Sequence, residues 1–150
     1  MAIEFQTEAQ QAVYQKIRPW FQELFGTFAS FSEERPTCFV LVGSAWTNTT
    51  VIPWGDDDAT ICTRAWLVTG AELSADLLLY LLRENADMRF GAFSIDADDD
   101  ILFEHTIVGS TCDKDELRSS VLAVAQTADA YDDEIVARFG GTRMIDRQSG

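Results

Sequence analysis

The sequence has few basic residues and no long run of apolar residues. Lysine and arginine number 11 against 25 aspartates and glutamates, which gives a formal net charge of −14 at pH 7. Nucleic acids and anionic lipid surfaces repel a protein of this charge. The longest aliphatic run covers residues 77–79, or 77–82 if Tyr80 is included, whereas a transmembrane helix needs roughly 20 apolar residues. We therefore expect no nucleic-acid partner and no membrane partner.

The N-terminal residues Met-Ala-Ile-Glu-Phe-Gln lack the basic region and the apolar stretch of a secretory signal. An apolar content of 47% is nevertheless enough for a sizeable hydrophobic core. A chain of 150 residues is the size of one domain. We expect a cytoplasmic protein with a single domain over residues 1–150.

Residues that bind metals or form disulfides are also scarce. The three cysteines, Cys38, Cys62 and Cys112, are odd in number and widely spaced, and His105 is the only histidine. A zinc site needs closely spaced cysteine or histidine pairs, and a disulfide framework needs an even number of cysteines. We expect no metal, no cofactor and no disulfide framework.

Catalytic motifs are equally absent from the sequence. There is no Gly-x-Ser-x-Gly elbow and no glycine-rich phosphate loop. We expect no catalytic residues, but one alternative stays open. Cys112 precedes a predicted helix start, where a thiolate is favoured, so the alternative is a small enzyme that uses Cys112 or His105 with an acidic partner.

The secondary-structure pattern alternates helices with strand-like runs. Apolar residues at helical spacing predict three helices, and runs rich in β-branched and aromatic residues predict five strands. Pro19 is expected to kink or split the first helix. In chain order the predicted elements are a helix at about 7–28, strands at 37–43, 49–54 and 60–68, a helix at about 74–85, strands at 89–95 and 101–108, and a helix at about 113–139.

The resulting order, α-β-β-β-α-β-β-α, predicts an α+β fold in which helices pack against an antiparallel sheet. Short gaps between the strands favour antiparallel pairing. Gly140 and Gly141 end the last helix, and residues 142–150 are expected to form a frayed tail.

The central helix is apolar over about half of its circumference. Leu73, Leu77, Tyr80 and Leu81 share one side, and Leu78 and Leu82 widen that side. A helix of this kind needs covering from more than one direction. The second cover is either another subunit or the sheet and a terminal helix of the same chain.

An acidic cluster, Asp96-Ala97-Asp98-Asp99-Asp100, separates the last two predicted strands. A calcium-binding EF-hand loop starting at Asp96 would need glycine at position 6 and glutamate at position 12, but these positions hold Ile101 and Ile107. Aspartate favours tight turns, so the cluster predicts a hairpin turn. A calcium-responsive regulator that uses Asp96, Asp98 and Asp100 remains an alternative.

Three tryptophans, Trp46, Trp54 and Trp66, fall in or beside the first predicted strands. Those strands carry apolar residues at odd and at even positions, for example Phe39 beside Val40, so both faces of each strand are apolar. A sheet that is apolar on both sides must be covered on both or bind something. The tryptophans therefore either complete the core or contribute to a binding surface.

Three features together resemble the YbjN family and, more distantly, the class I type III secretion chaperones of the CesT type. They are the helix Leu77-Leu78-Leu79-Tyr80-Leu81-Leu82-Arg83-Glu84-Asn85, the strand Gly91-Ala92-Phe93-Ser94-Ile95-Asp96 with its acidic turn, and the long last helix. The resemblance implies a homodimeric, non-enzymatic module. The secretion chaperones hold an extended segment of a client protein.

We therefore expect a homodimeric chaperone-like protein that binds a protein or peptide client and has no enzymatic activity. The predicted dimer or client surface combines the apolar central helix, one aromatic residue of the Gly-Ala-Phe strand and the three tryptophans. Its residues are Leu73, Leu77, Leu78, Tyr80, Leu81, Leu82, Phe93, Trp46, Trp54 and Trp66.

Overall fold

The computed structural model describes residues 2–148. These residues form four helices and seven strands, with a short 3-10 turn at Gly26–Phe28. The elements in chain order are α1 (Glu8–Phe25), β1 (Ala29–Phe31), β2 (Thr37–Val42), β3 (Ala45–Trp54), β4 (Asp58–Thr69), α2 (Ala75–Asp87), β5 (Ala92–Ile95), β6 (Ile101–Val108), α3 (Lys114–Phe139), β7 (Thr142–Arg143) and α4 (Met144–Gln148).

Polar side chains begin the three long helices where the sequence places them. The hydroxyl of Thr7 accepts a hydrogen bond from the amide of Gln10, and Ser74 and Asp113 cap α2 and α3 in the same way. Each cap satisfies an amide that the first helical turn leaves unpaired.

The first helix continues through Pro19, so the predicted split does not occur. Ile17 and Phe21 flank the proline and are both fully buried in the same cluster. Pro19 itself is exposed. Because Ile17 and Phe21 are packed in one core, the two halves of α1 stay together although Pro19 has no backbone amide to donate.

The strands form one antiparallel sheet in the order β1-β2-β3-β4-β6-β5, with β7 pairing against the end of β4. This sheet, packed with helices, confirms the predicted α+β fold. The structure adds β1, β7 and α4, which were not predicted. Residues 142–148 are therefore not a frayed tail: Arg143 pairs with Val68, and α4 follows. Residues 149–150 lie outside the described part of the chain.

Strand register gives the sheet two unlike faces. One row across the sheet, Val40–Thr47–Ala65–Phe103, points toward the long helices, and all four of its residues are buried. We call this side the covered face. Its hydrophobic contacts with α1, α2 and α3 form two buried clusters.

The opposite side, which we call the open face, carries the alternate residues of the same strands. The neighbouring row is Phe39–Asn48–Arg64–Glu104. These four residues are only partly buried. The aromatic and aliphatic residues of the open face include Phe39, Leu41, Trp46, Ile52, Trp54, Trp66 and Val108.

Helix α2 lies at the β5 end of the sheet and closes its outer edge. The side-chain amide of Asn85 donates to the carbonyl of Phe93 at 3.2 Å, and the Phe93 amide donates back to Asn85 Oδ1 at 2.6 Å. The asparagine thus replaces the backbone of a missing neighbouring strand.

Among residues 2–148, no helix combines the length and the apolar character needed to cross a bilayer.

Candidate functional site

Four exposed apolar side chains lie on the open face. Trp54 is 58% exposed, and Trp46, Ile52 and Val108 are each exposed by more than a third. On the covered face of the described strands, α1 and α3 pack over the apolar side chains. An apolar surface that is rimmed by polar residues and left uncovered is typical of an interaction site.

A pocket of about 490 Å³ lies at one end of the open face. Trp46 and Trp66 line it from adjacent strands, the β5–β6 turn supplies carboxylates, and α4 contributes two apolar side chains. The lining residues are Phe39, Ser44, Trp46, Thr47, Asn48, Trp66, Asp96, Asp98, Asp100, Met144 and Ile145. Two of the three predicted tryptophans therefore meet at one site, whereas Trp54 lies further along the open face.

The acidic cluster forms a hairpin turn between β5 and β6, as predicted. Asp96 Oδ1 accepts from the amides of Asp98 and Asp100, both at 3.0 Å. Asp96 Oδ2 accepts from Trp66 Nε1 at 2.9 Å, and this bond is the main reason that the pKa of Asp96 lies below its ordinary value. Asp99 has φ 61°, a left-handed conformation that aspartate tolerates in turns. Asp96 thus connects the turn to the open face.

Helix α2 divides its leucines between the core and the surface. Leu77 and Leu81, together with Phe93 of β5, are buried against the sheet and α3. These three predicted surface residues are therefore core residues, because the arc of α2 that faces the sheet is the one centred on Leu77 and Leu81. Leu73 and Tyr80 are half-buried beside them.

The exposed leucines of α2 are Leu78, Leu79 and Leu82, and we call them the α2 leucine patch. Leu82 is 65% exposed, Leu79 46% and Leu78 38%. Leu79 was not among the predicted site residues because it falls outside the main apolar arc. Since residues at i, i+1 and i+4 fall within one wide stripe of a helix, the three side chains lie on one side of α2.

His105 is held between β6 and α3. Its Nδ1 atom shares a hydrogen bond with Ser120 Oγ at 2.8 Å, and the ring of Phe90 meets the imidazole edge-on. Burial lowers the pKa of His105. The imidazole is thus a satisfied, partly buried side chain.

Cys112 does not have the reactive character that its place before α3 suggested. Its side chain is buried, and burial raises the pKa of the thiol to about 11. The thiol donates to the carbonyl of Asp113 at 3.1 Å. The expectation of a favoured thiolate is wrong, because loss of solvation raises the pKa of the thiol more than the charge of Lys16 and the backbone amide of Leu117 lower it.

A polar cluster that the sequence analysis missed ties the β2–β3 turn to α3. The hydroxyl of Ser44 lies 2.6 Å from Asp129 Oδ1 and 2.7 Å from Asp132 Oδ2. The pKa of Asp129 is lowered by the bonds from Ser44, whereas burial raises the pKa of Asp132. A Cβ atom at Gly43 would come within 2.6 Å of Asp129 Oδ1 and would displace this carboxylate, and the left-handed φ of 60° at Gly43 also favours glycine.

Comparison with known proteins identifies the family. Residues 21–147 match the sequence profile of TY-Chap1, described as T3SS (YopN, CesT) and YbjN peptide-binding chaperone 1. The chain belongs to this family. The predicted resemblance to YbjN and the type III secretion chaperones is therefore confirmed. A search of curated protein sequences gave no match.

Solved structures share the fold of this TY-Chap1 protein at low sequence identity. The HopA1–SchA chaperone–effector complex matches with a TM-score of 0.61 and 9% identity, covering 82% of this chain and 96% of that chain. The ExsC–ExsE complex gives 0.62 and 10%, covering 83% and 93%. YbjN from E. coli gives 0.57 and 13%, covering 81% and 92%. At these identities the likeness concerns the fold alone.

Proposed function

We propose that this protein is a homodimeric, non-enzymatic chaperone that holds an extended segment of a client protein on the open face. The observation that carries the proposal is the exposed aromatic surface of the open face, with Trp54 58% exposed, in a chain whose family is described as peptide-binding. Large aromatic side chains dominate the energetics of binding surfaces.

The edges of the sheet favour the open face over strand addition as the place of binding. The β5 edge is closed at Phe93 by the two hydrogen bonds of Asn85. At the other edge, β1 has only three residues. A peptide that adds to a sheet needs a row of free backbone groups, and the open face offers side-chain contacts over several strands instead.

The α2 leucine patch is our proposed dimer surface. Leu78, Leu79 and Leu82 are exposed on one side of a helix whose other side is already anchored in the core by Leu77 and Leu81. Complete burial of a leucine side chain contributes about 1.5–3 kcal/mol. In a symmetric dimer the same patch is buried on both subunits.

The proposal also includes two further parts: the protein does not catalyse a reaction, and it is located in the cytoplasm. His105 is hydrogen-bonded to Ser120, and the buried thiol of Cys112 has its pKa raised to about 11. Neither group is therefore activated as a nucleophile. The three cysteines are free, which suits a reducing compartment.

Two variants test the client surface and the dimer surface separately. Affinity-tagged Trp54→Glu and Leu82→Glu proteins are compared with wild type in pull-downs from lysate of the native host and by light scattering. We expect Trp54→Glu to lose co-purifying proteins but stay dimeric, and Leu82→Glu to become monomeric. Equal sets of co-purifying proteins for Trp54→Glu and wild type would contradict the client surface, and a monomeric wild type would contradict the dimer.

A further inference from the structure

One aspartate of the pocket in the open face has little exposed surface, and its carboxylate has no partner among residues 2–148. Asp100 is only 7% exposed, and its carboxylate makes no hydrogen bond or ion pair within residues 2–148, although its backbone amide and carbonyl both bond to Asp96. Its carboxylate oxygens are not among the fully buried side-chain atoms that lack a partner, so they keep access to the pocket. A charged group with little water around it attracts an opposite charge more strongly than a fully exposed one does. The side chain lines the pocket, so a ligand entering the pocket reaches it.

The groups around Asp100 define the ligand that would compensate its charge. Carboxylate oxygens of Asp96, Asp98 and Asp100 lie within 4.8 Å of one another. Asp96 already accepts hydrogen bonds on both oxygens, from the turn amides and from Trp66. Asp98 and Asp100 remain to face a cation, and the indoles of Trp46 and Trp66 form the adjacent pocket wall.

A guanidinium group fits this arrangement better than a metal ion does. Calcium prefers six to eight oxygen ligands, and two of the three carboxylates here have oxygens to spare. A guanidinium is planar, donates hydrogen bonds to carboxylates and stacks on aromatic rings. A pocket of about 490 Å³ has room for a whole side chain rather than a bare ion. The formal net charge of −14 further favours a basic client segment.

We propose that the pocket receives an arginine side chain of the bound client, with the guanidinium between Asp98, Asp100 and the indoles of Trp46 and Trp66. This proposal rests on the proposed function and adds the chemistry that the open face selects. An extended client then places its apolar side chains along Ile52 and Trp54 and one arginine in the pocket.

The test uses an extended peptide of alternating valine and arginine, and the same peptide with citrulline in place of each arginine. Citrulline keeps the shape of arginine but is uncharged. Calorimetry measures the binding of both peptides to wild type, to Asp98→Asn/Asp100→Asn and to Asp56→Asn/Asp57→Asn. The last variant is the matched control, because it removes the same charge from the exposed β3–β4 turn.

We expect wild type and the control variant to bind the arginine peptide about tenfold or more tightly than the citrulline peptide, because hydrogen bonds between charged groups are the strong ones. The Asp98→Asn/Asp100→Asn variant loses this preference. Equal binding of both peptides to wild type would overturn the arginine pocket and leave the open face as a client surface. Binding of neither peptide would overturn both proposals.

A titration with calcium chloride alone tests whether the pocket binds a metal ion instead of an arginine side chain. We expect no heat of binding that depends on Asp100 at micromolar to millimolar calcium. Calcium binding that Asp100→Asn abolishes, together with calcium blocking the arginine peptide, would assign the pocket to a metal ion and overturn the proposal.

Discussion

The two faces of the sheet are built from the same strands and differ in what covers them. In β3 and β4, Val51 and Ile61 point into the core and are at most 1% exposed, whereas Ile52, next to Val51, is 40% exposed. On the covered face even threonines are buried, and Thr49 and Thr63 bond to each other at 2.8 Å. The covered face therefore contributes most of the buried core, whereas the open face keeps exposed apolar side chains that are available for binding.

The largest expected effect is the difference in stability between two matched isoleucine changes, one on each face of the sheet. Ile61→Ala removes a fully buried side chain and should cost about 2–5 kcal/mol of unfolding free energy. Ile52→Ala, the matched change on the open face of the neighbouring strand, should cost less than about 1 kcal/mol. Urea unfolding followed by circular dichroism measures both. Similar losses for the two variants would break the distinction between the faces.

The second prediction concerns the α2 leucine patch. Leu82→Ser should shift the dimer equilibrium by about 1.5–3 kcal/mol per subunit, because it removes an exposed leucine from the proposed interface. Analytical ultracentrifugation over a range of protein concentrations measures the shift. The control is Phe28→Ser, which removes another exposed apolar side chain at a position away from α2. A dimer equally sensitive to both changes would contradict the α2 interface.

A third prediction tests the closed edge of the sheet. Asn85→Ala leaves the amide and carbonyl of Phe93 without their partners and should lower the unfolding free energy by about 1–3 kcal/mol. Asn48→Ala on the open face is the control and should change it by less than about 0.5 kcal/mol. The freed edge should also promote aggregation, measured by light scattering over time. Unchanged stability of Asn85→Ala would show that water replaces the asparagine without loss.

The smallest expected effect is a dependence of stability on pH at the covered face. Burial lowers the pKa of His105 below 6.5 in the folded state. At higher pH the imidazole is neutral in both states. As the pH falls below about 6.5, the unfolded state binds a proton first, so stability decreases until the pH reaches the folded-state pKa.

His105→Gln isolates this contribution, because the carboxylates titrate alike in both proteins. Urea unfolding at about pH 7.5 and 5.5 should show a larger loss for wild type than for the variant. Equal losses would mean that the folded state does not disfavour the charged imidazole.

Much of the fold follows from local features of the sequence. Thr7, Ser74 and Asp113 mark helix starts because their side chains accept hydrogen bonds from nearby amides. The aspartate cluster marks the β5–β6 turn for a similar local reason. β1 and β7 were missed because strands of three and two residues have too little pattern of their own and depend on pairing with distant residues.

The site was predictable only in part, because its geometry depends on long-range register. The sequence singled out Trp46, Trp66 and the aspartate cluster separately, but only the pairing of β3, β4 and β6 brings them to one pocket. Helical spacing likewise groups the leucines of α2, yet only packing against the sheet decides that Leu77 and Leu81 are buried and that Leu82 is exposed.

Photo-crosslinking from the open face shows directly whether this face contacts a client protein. A benzophenone amino acid is placed at position 54 or position 82 of the protein in its native host and activated by light, and the adducts are identified by mass spectrometry. We expect adducts to a different protein from position 54 and adducts to a second copy of this chain from position 82. Adducts only between copies of this chain from position 54 would contradict the proposal that the open face holds a client.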